Sequence, residues 1–137
     1  MKLPNLFGKK DVSSELEKAS PYTIRTVFVP YKLYANRKGS AALQITLANA
    51  TTEPLMTSVV VALPKQLSFG QIGIDKEKEV RLGTLGPKEE KEASIDIFSD
   101  AGTDKGEYTL QVSVFAHYRD YGHIINGIKK RVQLEVV

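Results

Sequence analysis

The sequence has 137 residues, of which 42% are hydrophobic and 26% are charged, values typical of one globular domain. Its 19 basic and 16 acidic side chains leave a formal charge of only +3, so the composition does not favour nucleic acid or an anionic membrane as the partner. The chain contains no cysteine, which excludes disulfides, thiolate nucleophiles and iron–sulfur centres.

Residues 1–20 differ in pattern from the rest of the chain and are predicted to form an N-terminal arm. Leu3, Leu6 and Phe7 precede a charged segment, 9–18, which is too short to form a helix that is stable by itself. We therefore expect an arm that is either flexible or docked on another surface.

The sequence shows no pattern typical of a secretory signal or a membrane-spanning segment. The arm lacks the continuous apolar stretch of a signal peptide, and no run in the chain approaches the ~20 apolar residues of a membrane-spanning helix. Together with the absence of cysteine, this pattern predicts a cytoplasmic protein.

The remaining residues, 21–137, show strand patterns from end to end. In the first predicted strand Val27, Val29, Tyr31 and Leu33 share one parity, which predicts that they face inward. Pro30 interrupts this strand, and because proline cannot donate to a β-ladder, it predicts an edge strand, a bulge or a switch between sheets.

The clearest strand lies near the C-terminus, where apolar and polar residues alternate over a long segment. The apolar parity of this strand consists of Tyr108, Leu110, Val112, Val114, Ala116 and Tyr118. Seven strands with turn signals about every dozen residues predict an all-β, immunoglobulin-like antiparallel sandwich for residues 21–137. The predicted core is Leu43, Ile45, Leu47, Val59, Val61, Ile95, Ile97, Leu110, Val112, Val114, Val132 and Leu134.

Three segments carry a resemblance to a known family: GSAALQITLANATTEPLMTSVVVALP, LGTLGPKEEKEASIDI and DAGTDKGEYTLQVSV. They resemble the immunoglobulin-like CARDB and alpha-galactosidase-associated domains that accompany archaeal surface-layer and cell-adhesion proteins and some glycosidases. The matching positions are a strand that ends at Asn49, the Leu82-Gly83-x-Leu85-x-Pro87 element, and Ala101-Gly102 followed by Gly106-x-Tyr108. The resemblance covers residues 38–137 and implies the fold, with no catalytic residue and no ligand site.

Tyr108 is predicted to be structural. A tyrosine at the entry to this strand of an immunoglobulin-like sandwich bonds back to the preceding loop through its hydroxyl group. We therefore expect a largely buried ring and a hydrogen bond to the backbone of residues 100–106.

The polar side chains do not form a convincing catalytic or metal-binding set. His117 and His123 would need a third ligand such as Asp120, and both are interpreted as surface histidines. The three aspartates at positions 96, 100 and 104 lack the ligand spacing of a calcium loop, and no serine or threonine occupies a nucleophile elbow. The sequence therefore predicts no enzymatic activity, no metal and no cofactor.

Two sets of residues are candidate contact surfaces. The first comprises Phe98 and Phe115, which fall on outward parities and could form one patch for a protein partner or a second copy, covered by the arm. The second is a basic and aromatic set near turns, in which Arg37, Lys38, Arg119, Lys129 and Lys130 are the main cations, with Arg131, Tyr34 and Tyr121 beside them. Surfaces that combine rings and cations suit sugars, phosphates or single-stranded nucleic acid, although lysines on edge strands also serve to block aggregation.

These observations predict a non-catalytic protein–protein interaction or scaffolding domain. Two alternatives remain open: a carbohydrate-binding or cell-surface adhesion module, and a weak nucleic-acid-binding module that uses the basic hairpin tips.

Overall fold

Eight strands form two sheets that pack face to face in the computed structural model, which describes residues 20–70 and 76–137. The strands are β1 (Tyr22–Val29), β2 (Lys32–Leu33), β3 (Gly39–Asn49), β4 (Leu55–Ala62), β5 (Glu77–Leu85), β6 (Glu90–Ser99), β7 (Gly106–His117) and β8 (Ile124–Val136). One sheet has the order β1-β3-β6 and the other β2-β8-β7-β4-β5, and every pair is antiparallel except β2 with β8. The all-β, immunoglobulin-like sandwich is therefore confirmed.

The first predicted strand is two strands in the structure, which accounts for eight strands where seven were expected. β1 lies at the edge of the three-stranded sheet, and the chain crosses at Pro30 to join the five-stranded sheet as β2. A proline lacks the N–H that a ladder needs, so the break falls at the one residue of this segment that cannot pair. Both the edge position and the switch between sheets agree with the sequence prediction.

The core lies between the two sheets and contains all twelve predicted residues. Each is buried, and even the most accessible of them, Val132, is only 7% exposed. The alternation along β3, β6 and β7 was sufficient to predict the inward face because one side of each strand is consistently apolar.

The inward face of β1 is the opposite of the predicted one. Val27 and Val29 in β1, and Tyr31 in the link after it, are 51%, 52% and 69% exposed, whereas Tyr22 is buried at 3%. The prediction is correct only for Leu33, which lies in β2 and is 4% exposed. Pairing with β3 decides this parity, because Phe28 lies opposite the buried Leu43.

Tyr22 also anchors the strand, since its hydroxyl group lies 2.7 Å from Thr57 Oγ1 inside the core. Burial raises the pKa of the Tyr22 hydroxyl group, and the bond to Thr57 partly offsets that effect.

The far end of β7 also departs from the prediction. Its register with β8 shifts between Ala116 and His117, and the strand ends there. Tyr118, which was expected to face inward, is 54% exposed, whereas His117, which was interpreted as a surface histidine, is only 5% exposed. His117 keeps the outward parity of Phe115 and pairs with Met56 in unbroken register with β4, so it is buried by the side chains of Ser58 and Tyr121 that cover it on the outer face rather than by a change of face.

Tyr108 forms the predicted bond with the preceding loop. Its hydroxyl group donates to the carbonyl oxygen of Asp104 at 2.6 Å, although the ring is half-buried rather than fully enclosed. We expect Tyr108→Phe to lower the free energy of unfolding by about 1 kcal/mol, because the carbonyl group loses one protein partner but stays accessible to water. Urea unfolding of both proteins measures this difference, and an unchanged midpoint would show that the bond does not stabilise the loop.

No helix long and apolar enough to cross a membrane occurs in the segments 20–70 and 76–137.

Candidate functional site

A groove with exposed tyrosines and cations lies at one end of the sandwich. Its wall is formed by the β1–β2 link and the β2–β3 turn, and its volume is about 550 Å³. A smaller hollow of about 300 Å³ adjoins it, because Lys38 lines both, and Phe98 lies in the smaller one. We call this surface the aromatic groove and define it by Tyr31, Tyr34, Arg37, Lys38 and Phe98.

The backbone beneath the aromatic groove is held by hydrogen bonds to neighbouring segments. Asn36 has a positive φ of 59°, which asparagine tolerates better than most residues, and its N–H donates to Thr103 O at 2.8 Å. Its side-chain amide donates to Asp104 Oδ1 at 2.9 Å. The N–H of Ala35 donates to Val137 O at 2.8 Å. These bonds fix the turn while its larger side chains face solvent.

The exposed rings of the groove are paired with cations. The Arg37 guanidinium lies 4.6 Å from the centroid of Tyr34, and the Lys32 ammonium lies 5.4 Å from that of Tyr31. Such contacts contribute about 0.5–1 kcal/mol at exposed sites, which restricts the side chains before any partner arrives. Tyr34 is 53% exposed, so its ring is available for contact. Tyrosine and arginine are the residues that most often dominate binding energy at protein interfaces.

The structure brings together only part of the predicted contact set. Phe98 lies beside Lys38 in the smaller hollow, on the outer face of the three-stranded sheet. Phe115 lies on the outer face of the five-stranded sheet, on the opposite side of the sandwich. The expectation that the two phenylalanines form one patch is therefore wrong, because their strands belong to different sheets.

The predicted basic set is also dispersed. Arg37 and Lys38 lie at the aromatic groove, whereas Arg119 lies in the β7–β8 turn at the other end of the sandwich. Lys129 was expected to flank that hairpin tip and Lys130 to lie in a turn, but both lie within β8, opposite Ser113 and Val112. The structure does not place these five cations on one surface.

The predicted arm residues Leu3, Leu6 and Phe7 lie outside the described residues, so their role remains a prediction.

A second polar cluster, which the sequence analysis did not identify, lies beside the end of β7. His117 Nε2 and Ser58 Oγ are 2.7 Å apart, and the ring of Tyr121 packs edge-on against the imidazole at a centroid distance of 5.0 Å. The Tyr121 hydroxyl group accepts a hydrogen bond from the Gly83 N–H at 2.9 Å, which ties the hairpin to β5. No sequence signal marks this cluster, because Ser58 and His117 meet only when β4 pairs with β7, and Tyr121 reaches them only from the β7–β8 turn.

The Ser58–His117 pair has the spacing of a nucleophile and a base but not the surroundings of a catalytic site. Ser58 is only 1% exposed, so a substrate carbonyl could not approach its hydroxyl group. Within the described part of the chain, His117 Nδ1 has no hydrogen-bond partner, so nothing orients the ring as a triad carboxylate would. We interpret the pair as a structural contact.

His123 is a surface residue, as expected. Its Nδ1 lies 2.8 Å from Asp120 Oδ1, and this hydrogen bond, with a second from the Gly122 N–H, lowers the pKa of the exposed Asp120 carboxyl group. Over residues 20–70 and 76–137, no three histidine, aspartate or glutamate side chains converge on a common point.

The architecture defines the chain as an immunoglobulin-like β-sandwich domain, and comparison with known proteins agrees. No protein-family model and no curated protein matches the sequence. Among solved structures, the CARDB domain of a Pyrococcus furiosus protein is similar over 85% of this chain and 94% of that chain, with 18% identity and a TM-score of 0.56. The fold is therefore CARDB-like, in agreement with the resemblance inferred from sequence.

Two much larger proteins contain a similar unit. The native conformation of E. coli alpha-2-macroglobulin matches over 87% of this chain with 18% identity and a TM-score of 0.58. The alkylpurine DNA glycosylase AlkC of Pseudomonas fluorescens, bound to DNA with an abasic site analog, matches over 87% with 14% identity and a TM-score of 0.52. The chain spans only 7% and 31% of these two proteins, and similarity at this identity shows the fold alone.

Proposed function

We propose that this chain is a non-catalytic protein-binding domain and that the aromatic groove is its contact surface. The observation that carries this proposal is the exposure of two tyrosine rings, each already paired with a cation, on a backbone held by hydrogen bonds to neighbouring segments. Ordering a side chain on binding costs about 0.5–1.5 kcal/mol, and pre-paired side chains lose less.

The charges around the groove favour an acidic polypeptide segment as the partner. Lys32, Arg37 and Lys38 line the groove and its adjoining hollow, and two acidic groups lie nearby: Asp100 in the hollow, and Asp104, whose carboxylate accepts a hydrogen bond from the Asn36 amide at 2.9 Å. The Asp100 carboxylate already accepts a hydrogen bond from the Gly102 N–H at 2.7 Å within its own turn. A partner with aspartate or glutamate beside an apolar side chain would therefore meet cations and rings together.

The N-terminal arm is part of this proposal. Residues 1–20 carry Leu3, Leu6 and Phe7, and burial of such side chains against a partner stabilises a complex by about 1.5–3 kcal/mol each before ordering costs. We propose that the arm adds a second, weaker contact in cis or in trans.

The chain contains a matched control for the groove. Tyr118 and Arg119 form an equivalent exposed pair, 5.0 Å from cation to ring centroid, at the opposite end of the sandwich. The test is affinity capture from lysate of the producing cells with the wild-type chain, with Tyr34→Ala/Arg37→Glu and with Tyr118→Ala/Arg119→Glu. We expect Tyr34→Ala/Arg37→Glu to lose the captured protein and Tyr118→Ala/Arg119→Glu to retain it. Circular dichroism should show that both variants are folded.

Loss of the partner in both double variants, or in neither, would contradict the assignment to the groove. A further chain that begins at Pro21 separates the contribution of the arm. Sedimentation of the full and shortened chains then shows whether the arm mediates self-association, the alternative to a different protein partner.

Exposed tyrosine rings also favour a carbohydrate ligand, because sugars stack on aromatic faces. A glycan array with the wild-type chain and the Tyr34→Ala/Arg37→Glu variant tests this second candidate. Binding of single-stranded oligonucleotide that falls steeply with salt would instead support the nucleic-acid alternative.

A further inference from the structure

Strand β8 has a long open edge. It is 13 residues long, and β2 pairs with it only at Glu135 and Val136. In the part of the chain that the structure describes, no strand pairs with that edge along residues 124–134. A row of backbone N–H and C=O groups at an open edge is a template for another extended chain.

The chain itself demonstrates that this edge accepts a strand. β2 adds to it in parallel, and the pairing continues through Val137, whose N–H donates to Leu33 O at 2.9 Å. A partner strand in line with β2 would extend the same sheet toward Ile124. The site is therefore a continuation of a pairing that already exists at one end.

The side chains of the open edge alternate between two chemistries. On the outer face of the sheet, Lys129 and Arg131 are exposed, and neither forms an ion pair with another described residue. On the other face, Ile128 is half-buried against the core and Val132 is buried, while Lys130 between them is half-buried and donates from Nζ to Ile24 O at 3.3 Å. Ile124 and Ile125, at the start of the strand, are 58% and 60% exposed.

The positive charges at this edge favour a different polypeptide over a second copy of the chain as the strand that pairs with β8. A second copy that paired antiparallel about the basic run 129–131 would set like charges opposite each other, which destabilises a ladder. We infer that the β8 edge binds an extended segment of another polypeptide in which acidic residues alternate with apolar ones. The acidic side chains would lie beside Lys129 and Arg131 on the outer face, and the apolar ones beside Ile128 on the other face.

The other edge of the same sheet serves as an internal comparison. β5 carries Glu77, Lys78, Glu79 and Arg81, and Arg81 already lies 3.5 Å from Glu79. Its mixed charges offer no preference for one sign of partner. We therefore expect the β8 edge, and not the β5 edge, to prefer an acidic strand.

A peptide titration of the full chain tests the inference. The probe is a short blocked peptide of alternating glutamate and valine, with a scrambled peptide of the same composition and a lysine–valine peptide beside it. On the ¹⁵N-labelled chain, we expect the alternating acidic peptide to slow amide hydrogen exchange along residues 124–134 and to leave β5 unchanged.

Charge reversal at the edge supplies the decisive variants. Lys129→Glu/Arg131→Glu should bind the acidic peptide about ten-fold more weakly, since two cross-strand ion pairs are lost, and should gain affinity for the lysine–valine peptide. The matched control, Glu77→Lys/Glu79→Lys on β5, should bind as the wild type does. The groove variant Tyr34→Ala/Arg37→Glu should also bind the peptide normally, so failure of this inference and failure of the proposed function are distinguishable.

Three results would overturn the inference. They are unchanged exchange along β8, equal affinity for the scrambled peptide, and a dimer in sedimentation that Lys129→Glu/Arg131→Glu dissociates. An oligonucleotide that binds β8 at low salt where the acidic peptide does not would assign the edge to a polyanion and would also reject it.

Discussion

Replacement of Asn49 by alanine is expected to lower the free energy of unfolding by about 2–4 kcal/mol. Asn49 is completely buried, and its amide nitrogen donates to Glu53 O at 2.7 Å and to Leu85 O at 3.0 Å. Its Oδ1 accepts from the Thr51 N–H at 2.9 Å and from the Thr51 hydroxyl group at 2.7 Å. Alanine would leave the buried Leu85 carbonyl group without this partner, which costs about 1–3 kcal/mol where water cannot replace it, and would also remove three partly buried bonds to Thr51 and Glu53.

Two companion variants make the Asn49 result specific. Asn49→Asp should destabilise the fold as strongly as alanine does, because a carboxylate oxygen would face the Leu85 and Glu53 carbonyl groups. Asn126→Ala, at an exposed position, should change stability by no more than about 0.5 kcal/mol. Denaturant unfolding with a constant m-value is the measurement. A loss below about 1 kcal/mol in Asn49→Ala would mean that the loops find other partners.

Truncation of Leu110 to alanine is expected to cost about 3 kcal/mol. The side chain is 0% exposed in β7, which pairs with a neighbouring strand on each side. Removing it forfeits the transfer free energy of the lost methyl groups and leaves a cavity that the two packed sheets cannot close. Calorimetry or denaturant unfolding gives the difference directly.

The control for the core uses one chemical change at two positions. Val112→Ala, at 0% exposure, should cost about 2 kcal/mol, whereas Val27→Ala, at 51% exposure, should stay within about 0.5 kcal/mol of the wild type. Equal losses at the two positions would contradict the parity that the structure assigns to β1.

Local pattern alone determined most of the fold. Where one parity of a strand is apolar and the other polar, as in β3, β6 and β7, hydrophobic burial leaves a single choice of inward face. Pro30 similarly determined a break and an edge, because the missing N–H is a property of the residue itself. The bond from Tyr108 to the preceding loop was predictable for a comparable reason, since it joins residues only four apart.

Long-range pairing decided the features for which the local pattern was ambiguous. The segment from Val27 to Tyr31 is apolar on both parities, so its inward face depends on the register with β3 and on the bond from Tyr22 to Thr57. His117 is buried because the pairing of β4 with β7 brings Ser58 beside it and the β7–β8 turn packs Tyr121 against its ring, contacts that its own neighbours in sequence do not encode.

The candidate surfaces depend on tertiary structure for the same reason. Phe98 joins Lys38 at one hollow because β6 pairs with β3, whereas Phe115 is carried to the other side by the second sheet. Residue type predicted which side chains could bind, since rings and cations suit interfaces. Their arrangement follows from which strands pair, and pairing is a property of the whole sheet rather than of any one segment.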